Sequence, residues 1–175
     1  MKLKLKLLVL VKHVDGGTGT FALQLLKLNQ LDRKIDVKVL TLEKPEHRII
    51  SNNEIEYYRE RVHYPNYYQF RYSLIRLFIG EVFWFAAKIS SYKPDIIISI
   101  DTHCNFLAML IKMIKPRLIV ITTIHNNVVS VTRIKLSPII RWLVRISGRM
   151  LLNKSDSVVS VSKGLAEDLV RYFSI

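Results

Sequence analysis

A strand, a glycine turn and an amphipathic helix follow one another at the start of the chain, and this order constrains the fold more than any other feature. Residues 5–11 (LKLLVLV) form an apolar run too short to cross a membrane and rich in Leu and Val. That pattern predicts a strand buried on both faces of a parallel sheet. Lys12-His13-Val14-Asp15-Gly16-Gly17-Thr18-Gly19-Thr20 comes next. Its glycines permit positive φ and a close approach of ligand to backbone. In residues 21–31, Phe21, Leu25 and Leu28, with Ala22 and Leu26 beside them, share one helical face. Thr18 or Thr20 is the expected N-cap. The N–H groups and positive dipole end of this helix point at the turn and make it an anion site, with phosphate the best candidate.

The 175 residues suffice for one domain with a substantial core, and a hydrophobic fraction of 50% excludes a disordered chain. MKLKLKLLVLV imitates a secretory signal, but Lys12, His13 and Asp15 follow at once without a small-residue cleavage site, so it reads as the first strand. The other long apolar stretch, residues 73–92, is interrupted by Arg76, Glu81 and Lys88 at helical spacings, which predicts an amphipathic helix and no membrane span. Cys104 is the only cysteine, so no intramolecular disulfide forms and a cytoplasmic setting is expected, peripheral to the inner membrane face if a membrane is bound. A net charge of +13 favours an anionic partner: nucleic acid, an acidic membrane or a phosphorylated substrate.

Further along, residues 36–42 (DVKVLTL) predict a second strand with Glu43 at its carboxyl end, and Pro45 closes it. Residues 47–70 are irregular and tyrosine-rich, with one short strand expected around residues 61–64. Residues 72–92 predict a long helix stopped by Lys93-Pro94, and residues 95–100 (DIIISI) a buried strand delivering Asp101, Thr102, His103, Cys104 and Asn105 to the ligand edge. Residues 106–115 predict a helix. Residues 118–124 (LIVITTI) predict a strand that delivers His125, Asn126 and Asn127 to the same edge. A basic helix over residues 137–152 carries Arg141, Arg145 and Arg149 at four-residue spacing. Residues 157–161 and 165–173 predict a final strand and helix joined through Ser162. This alternation argues an α/β fold with a doubly wound, mainly parallel sheet and helices on both faces.

Three features in this order resemble a glycosyltransferase of the GT-B fold and family 4 type: the Gly16-Gly17 turn, Lys93-Pro94-Asp95-Ile96-Ile97 leading to Thr122-Thr123-Ile124-His125, and Ser155-Asp156-Ser157-Val158-Val159-Ser160-Val161-Ser162. The resemblance covers the amino-terminal, acceptor-binding domain, which is Rossmann-like. It implies retaining transfer of a hexosyl group from a nucleoside diphosphate sugar to a hydroxyl of a saccharide or lipid-linked acceptor, with no cofactor and no metal. It also implies Gly16, Gly17 and Thr18 at the diphosphate and acceptor turn, and His125 as the group that positions the sugar. Asp101, His103, Asn126 and Ser162 are the expected ligand-edge residues. The sequence ends at Phe173-Ser174-Ile175, about where such enzymes continue into the donor-binding half, which leaves three expectations open: a fragment, a truncated gene product, or one subunit of a split transferase whose donor-binding partner supplies the other half.

Other chemistries compete for the same residues. Gly17-x-Gly19-x-x-Ala22, with Glu43 about twenty residues beyond Ala22, fits a dinucleotide fingerprint and would bind NAD(P), although residues 12–16 intervene between strand and fingerprint. Cys104 with His125 would make a nucleophilic pair only if their strands were neighbours. A zinc site would need repeated Cys and His pairs. Arg141, Arg145 and Arg149, with Trp142, suggest either a solvated face or an anionic membrane surface. A non-catalytic binding subunit is the alternative to an enzyme. No nucleic-acid-binding motif is present, which makes nucleic acid an unfavoured partner.

Overall fold

A computed structural model describes residues 4–44, 55–59, 70–125 and 152–173, together with Trp142, Arg145, Ile146, Gly148 and Arg149. Six strands form one sheet: β1 (Leu5–Val11), β2 (Ile35–Glu43), β3 (Ile55–Arg59), β4 (Ile96–Ile100), β5 (Ile119–Ile124) and β6 (Ser157–Ser160). Their spatial order is β3-β2-β1-β4-β5-β6, and every pairing is parallel. The helices whose bounds lie within the described residues are α1 (Gly17–Leu26), α2 (Leu28–Leu31), α3 (Phe70–Tyr92), α4 (Thr102–Ile114) and α5 (Lys163–Phe173).

The apolar run over residues 7–11 of β1 follows from its central place. Leu8 and Leu10 enter a core built with Phe85 and Ile89 of α3 and Leu107, Ala108 and Ile111 of α4. Leu7, Val9 and Val11 point the other way, into a core with Ala22 and Leu26 of α1. Alternate residues thus meet different helical layers, and neither face can be polar. A third cluster joins Ile124 to Leu165, Leu169 and Phe173 and holds α5 against the sheet. Gly148 lies against it, because a Cβ there would come within 2.3 Å of the Phe173 ring.

Two aspartates of the sequence marks quoted above set strand register. Asp95 accepts a hydrogen bond from the Lys6 N–H at 2.8 Å, while its own N–H donates to the Lys6 carbonyl. Asp156 repeats the device one strand pair away, accepting from the Val120 N–H at 2.7 Å and donating its own N–H to the Val120 carbonyl. Each side chain satisfies a backbone donor where the ladder begins, which buried sheet ends require. Burial pushes the Asp156 carboxyl up, but Lys112 at 2.8 Å and the Val120 N–H outweigh that and hold it below the ordinary carboxylate range.

Several boundaries differ from expectation. The first helix begins at Gly17, four residues before the apolar periodicity starts, and is interrupted at Lys27. Strand β3 lies at Ile55–Arg59, whereas the strand expected around residues 61–64 falls outside the described residues. Helix α4 begins at Thr102 and not at residue 106, so His103, Cys104 and Asn105 stand in its first turn. Helix α3 ends as expected, with Lys93 at φ 52° donating to the Ile89 carbonyl before Pro94. Glu81 overturns the simple amphipathic reading of α3. Only 2% exposed, it faces the interior, while Phe83 is 72% exposed.

Candidate functional site at the sheet switch point

From β1 the chain runs one way to β2 and β3, then returns to the other side of β1 as β4. The carboxyl ends of β1 and β4 therefore diverge and leave a crevice between their loops, the usual ligand position in open parallel sheets. A cleft of about 640 Å³ occupies this place. Lys12, His13 and residues 15–18 after β1, residues 101–103 after β4, and His125 after β5 contribute its lining.

The first wall is held by backbone bonds. The Lys12 carbonyl accepts from the Glu43 N–H at 3.0 Å and the Thr41 hydroxyl at 3.1 Å, tying the loop to the end of β2. Gly16, at φ 88°, makes the turn into α1 in a conformation that other residues rarely adopt. Gly16 is also the N-cap, correcting the expectation of Thr18 or Thr20. The Thr20 hydroxyl instead donates back to the Gly16 carbonyl at 3.0 Å. Helix α1 has neither a side-chain cap nor an acidic residue in its first turn. Its N–H groups and dipole are thus available to an outside anion. Gly19 has a different duty, since a Cβ there would lie 1.9 Å from the Val14 carbonyl oxygen. The loop folds directly onto the helix at that point.

The second wall is the start of α4. Asp101 is its N-cap, at φ 81° and ψ 151°, without a side-chain capping bond. A non-glycine residue there stores about 1–3 kcal/mol of strain. A buried polar network fixes the turn beneath it. The Ser99 hydroxyl donates to Asn105 Oδ1 at 2.6 Å, Asn105 Nδ2 donates to the Thr123 carbonyl at 3.0 Å, and the Thr123 hydroxyl donates to the Ser99 carbonyl at 3.1 Å. These three bonds link β4, α4 and β5. Low surrounding polarity makes such a satisfied network rigid.

Two groups complete the site. His103 Nε2 lies 2.6 Å from a carboxylate oxygen of buried Glu81, and Phe78 meets the imidazole edge-on. His125 stacks obliquely on Phe21 of α1 with ring centroids 5.6 Å apart. Among the described residues, its Nε2 is buried without a hydrogen-bond partner, as is His13 Nδ1. Buried polar atoms left unpaired cost about 1–3 kcal/mol each, so these two nitrogens mark places where a ligand would restore hydrogen bonding.

Gly16, Gly17, Thr18, Asp101, His103 and His125 thus line one cleft. Ser162 sits at the end of β6 but serves as a cap, accepting from the Leu165 N–H at 3.2 Å. Asn126 and Arg141 lie outside the described residues, and Arg145 and Arg149 are exposed, helical and not part of the cleft. Sequence reasoning passed over Lys12, His13, Asp15 and Glu81 as site residues, whereas Thr102, expected at the ligand edge, lines the cleft. The first three were legible as the insertion between strand and glycines; Glu81 had no sequence signal. Cys104 is fully buried, and burial first, then Asp101 and Glu81, pushes its thiol well above the ordinary range. A thiol so held is a poor nucleophile. Among the described residues, no group of three or more His, Cys, Asp or Glu could hold a metal ion, and no helix is long and apolar enough to cross a membrane.

Such a sheet, with its cleft at the switch point, is the Rossmann-like half of a GT-B protein. The sequence matches Glycosyltransferase Family 4 over residues 15–175, and the chain belongs to that family. A search of curated proteins found no matching sequence. Among solved structures, the chain is similar to sucrose-phosphate synthase from Thermosynechococcus elongatus, with a TM-score of 0.66 and 14% identity over 96% of this chain and 45% of that one. It is also similar to a UDP-N-acetylglucosamine 2-epimerase from Listeria monocytogenes, described as putative in that structure's own name, with a TM-score of 0.62 and 14% identity over 96% of this chain and 42% of that one. A further UDP-N-acetylglucosamine 2-epimerase gives 0.59 at 13% identity over 96% of this chain and 45% of that one. The chain therefore spans less than half the length of these proteins. At such identities the likeness shows the fold alone.

Proposed function

We propose that this chain forms the acceptor-side half of a glycosyltransferase that moves a hexosyl group from a nucleoside diphosphate sugar to a hydroxyl, with retention at the transferred carbon. The observation that carries the reading is the uncapped N-terminus of α1, opening at Gly16 and Gly17 into a cleft that also receives the start of α4. Backbone N–H groups from Gly16, Gly17 and Thr18 would meet the leaving diphosphate, where preorganised donors stabilise charge as it develops. His125 offers its Nε2, unpaired among the described residues, to a hydroxyl of the transferred sugar. Asp101 and His103 stand on the opposite wall, for the incoming acceptor. A second, donor-binding domain or subunit completes the site, and no cofactor is required.

The test is a thermal-shift panel of UDP- and GDP-sugars, UDP, GDP, NAD and NADP on the native chain and on Gly17→Val. Position 17 has open space around a built Cβ, so the variant keeps its fold and blocks only the approach to the turn. A ligand at a hundredfold excess over its dissociation constant adds about 2.7 kcal/mol of apparent stability. The expected result is a rise with a nucleoside diphosphate sugar that Gly17→Val removes. A rise with NAD alone would replace this reading with a dinucleotide-binding one. Geometry already disfavours that outcome: Gly17 and Gly19 lie within α1, separated from β1 by residues 12–16, and Gly19 is committed to the Val14 carbonyl.

The same reading places a lipid-linked acceptor at an anionic membrane. Trp142 and Ile146 are 61% and 40% exposed, and Arg145 and Arg149 follow them at helical spacing, in a chain of net charge +13. Apolar and cationic groups so interleaved suit a headgroup interface. Each basic residue near such a surface contributes about 1 kcal/mol. Reversing both arginines to Glu should therefore lower co-sedimentation with phosphatidylglycerol vesicles by roughly tenfold or more. Unchanged sedimentation would remove the membrane from the proposal.

A further inference from the structure

Glu81 is the most deeply buried carboxylate among the described residues, and it comes from the middle of α3, far in sequence from every cleft loop. A carboxylate in such a place must be paired, because an uncompensated buried charge costs several kcal/mol. His103 meets it at 2.6 Å, a close contact between ring nitrogen and carboxylate oxygen. The two differ sharply in exposure: the Glu81 side chain is 2% accessible and that of His103 is 41%. One partner is thus sealed beneath the other, and the imidazole is the face this pair presents to the cleft.

A carboxylate accepts and does not donate, so a neutral His103 must carry its proton on Nε2. Its Nδ1 is then an acceptor, and among the described residues it bonds nothing. Phe78 packs against the ring edge-on, with centroids 5.8 Å apart, and restricts rotation away from this orientation. An orienting carboxylate that fixes the tautomer of an exposed imidazole is a device for presenting one chosen nitrogen to a ligand. The surroundings suit a hydroxyl: Asp101 provides a second acceptor at the start of α4, and Lys12 stands on the facing loop.

We propose that Glu81 is a positioning residue that fixes His103 so that its Nδ1 accepts a hydrogen bond from the incoming acceptor hydroxyl. This rests on the transferase reading for the identity of the ligand, a hydroxylated sugar. The orientation of the ring stands independently of it. Discrimination follows from the same chemistry, because a site built around hydrogen-bond acceptors rejects a ligand lacking the matching hydroxyl far more strongly than an apolar pocket rejects a methylene.

Two measurements test it. The first is a long-range proton–nitrogen NMR spectrum of the His103 ring at about pH 8, where an ordinary imidazole is neutral. The expected pattern is Nε2–H with a bare Nδ1. An Nδ1–H tautomer or a doubly protonated ring would overturn the proposal. The second follows the same signals in the full chain on addition of methyl glucoside, methyl galactoside and methyl mannoside. At least one should shift the Nδ1 resonance, and Glu81→Gln, whose fold is checked by circular dichroism, should weaken that binding by roughly tenfold, the effect of losing one charge-supported hydrogen bond. No response to any hexoside, or equal binding by Glu81→Gln, would also overturn it. Neither measurement uses a sugar nucleotide, so failure of the transferase reading in the thermal-shift panel is seen separately from failure of this one.

Discussion

Gly19→Ala is expected to be the most damaging single-methyl substitution at the site. The added carbon would lie 1.9 Å from the Val14 carbonyl oxygen and 2.1 Å from its carbonyl carbon, both backbone atoms. Neither can rotate aside, so the loop over residues 12–16 must lift from α1 or the helix must tilt from the sheet. Val14 is itself buried in the core that α1 shares with β1, which leaves little room for either. Overpacking of this severity costs about 3 kcal/mol or more. In a domain of this size that lowers the melting temperature by roughly 6–12 °C. Gly17→Ala is the matched control. It adds the same methyl two residues earlier, with nothing within 4 Å, and should leave stability unchanged or slightly raised. Equal melting temperatures for the two variants would show that the loop does not press on the helix.

The opposite behaviour is expected at Asp101. Its φ of 81° and ψ of 151° suit glycine, and its side chain makes no capping bond that would repay the strain. Asp101→Gly should therefore be more stable than Asp101→Ala by about 1–2 kcal/mol, because alanine keeps the strained backbone and glycine relaxes it. Both variants remove the carboxylate from the cleft, and both should lose binding of the acceptor hydroxyl together. A gain in melting temperature coupled to loss of binding is the signature of strain retained for function. If Asp101→Gly proved no more stable than Asp101→Ala, the backbone at position 101 would not be under strain, and the aim of the carboxylate would need another explanation.

Asp95 and Asp156 show why family marks in a sequence need a structure to be interpreted. Each stands in a motif that resembles those of glycosyltransferases, and each is occupied by a backbone N–H of the neighbouring strand. Their position before an apolar strand is visible in the sequence, but the donor lies 89 residues away for Asp95 and 36 for Asp156. Ser162 teaches the same point, for it stands at the expected edge and spends its hydroxyl on the start of α5.

Local patterning was enough to establish the parallel strands, the helices between them and the glycine turn, because apolar periodicity and buried central strands leave a direct trace in residue order. The turn residues Gly16, Gly17 and Thr18 and the strand-end residues Asp101, His103 and His125 were legible for the same reason: in a parallel sheet, whatever follows a strand arrives at one edge. The helix start at Gly17 was not, since its N-cap is a glycine and its first turn holds no acidic residue, and Asp101, the N-cap before Thr102, makes no side-chain capping bond. Nor could periodicity distinguish a polar residue facing water from one facing the core. Glu81 occupies a position in α3 that reads as solvent-facing, and the arrival of His103 from another helix helps make its burial tolerable. Folding brought that pair together, as it did Gly19 and Val14 and the three-way bond among Ser99, Asn105 and Thr123, because each needs the distances that packing alone supplies.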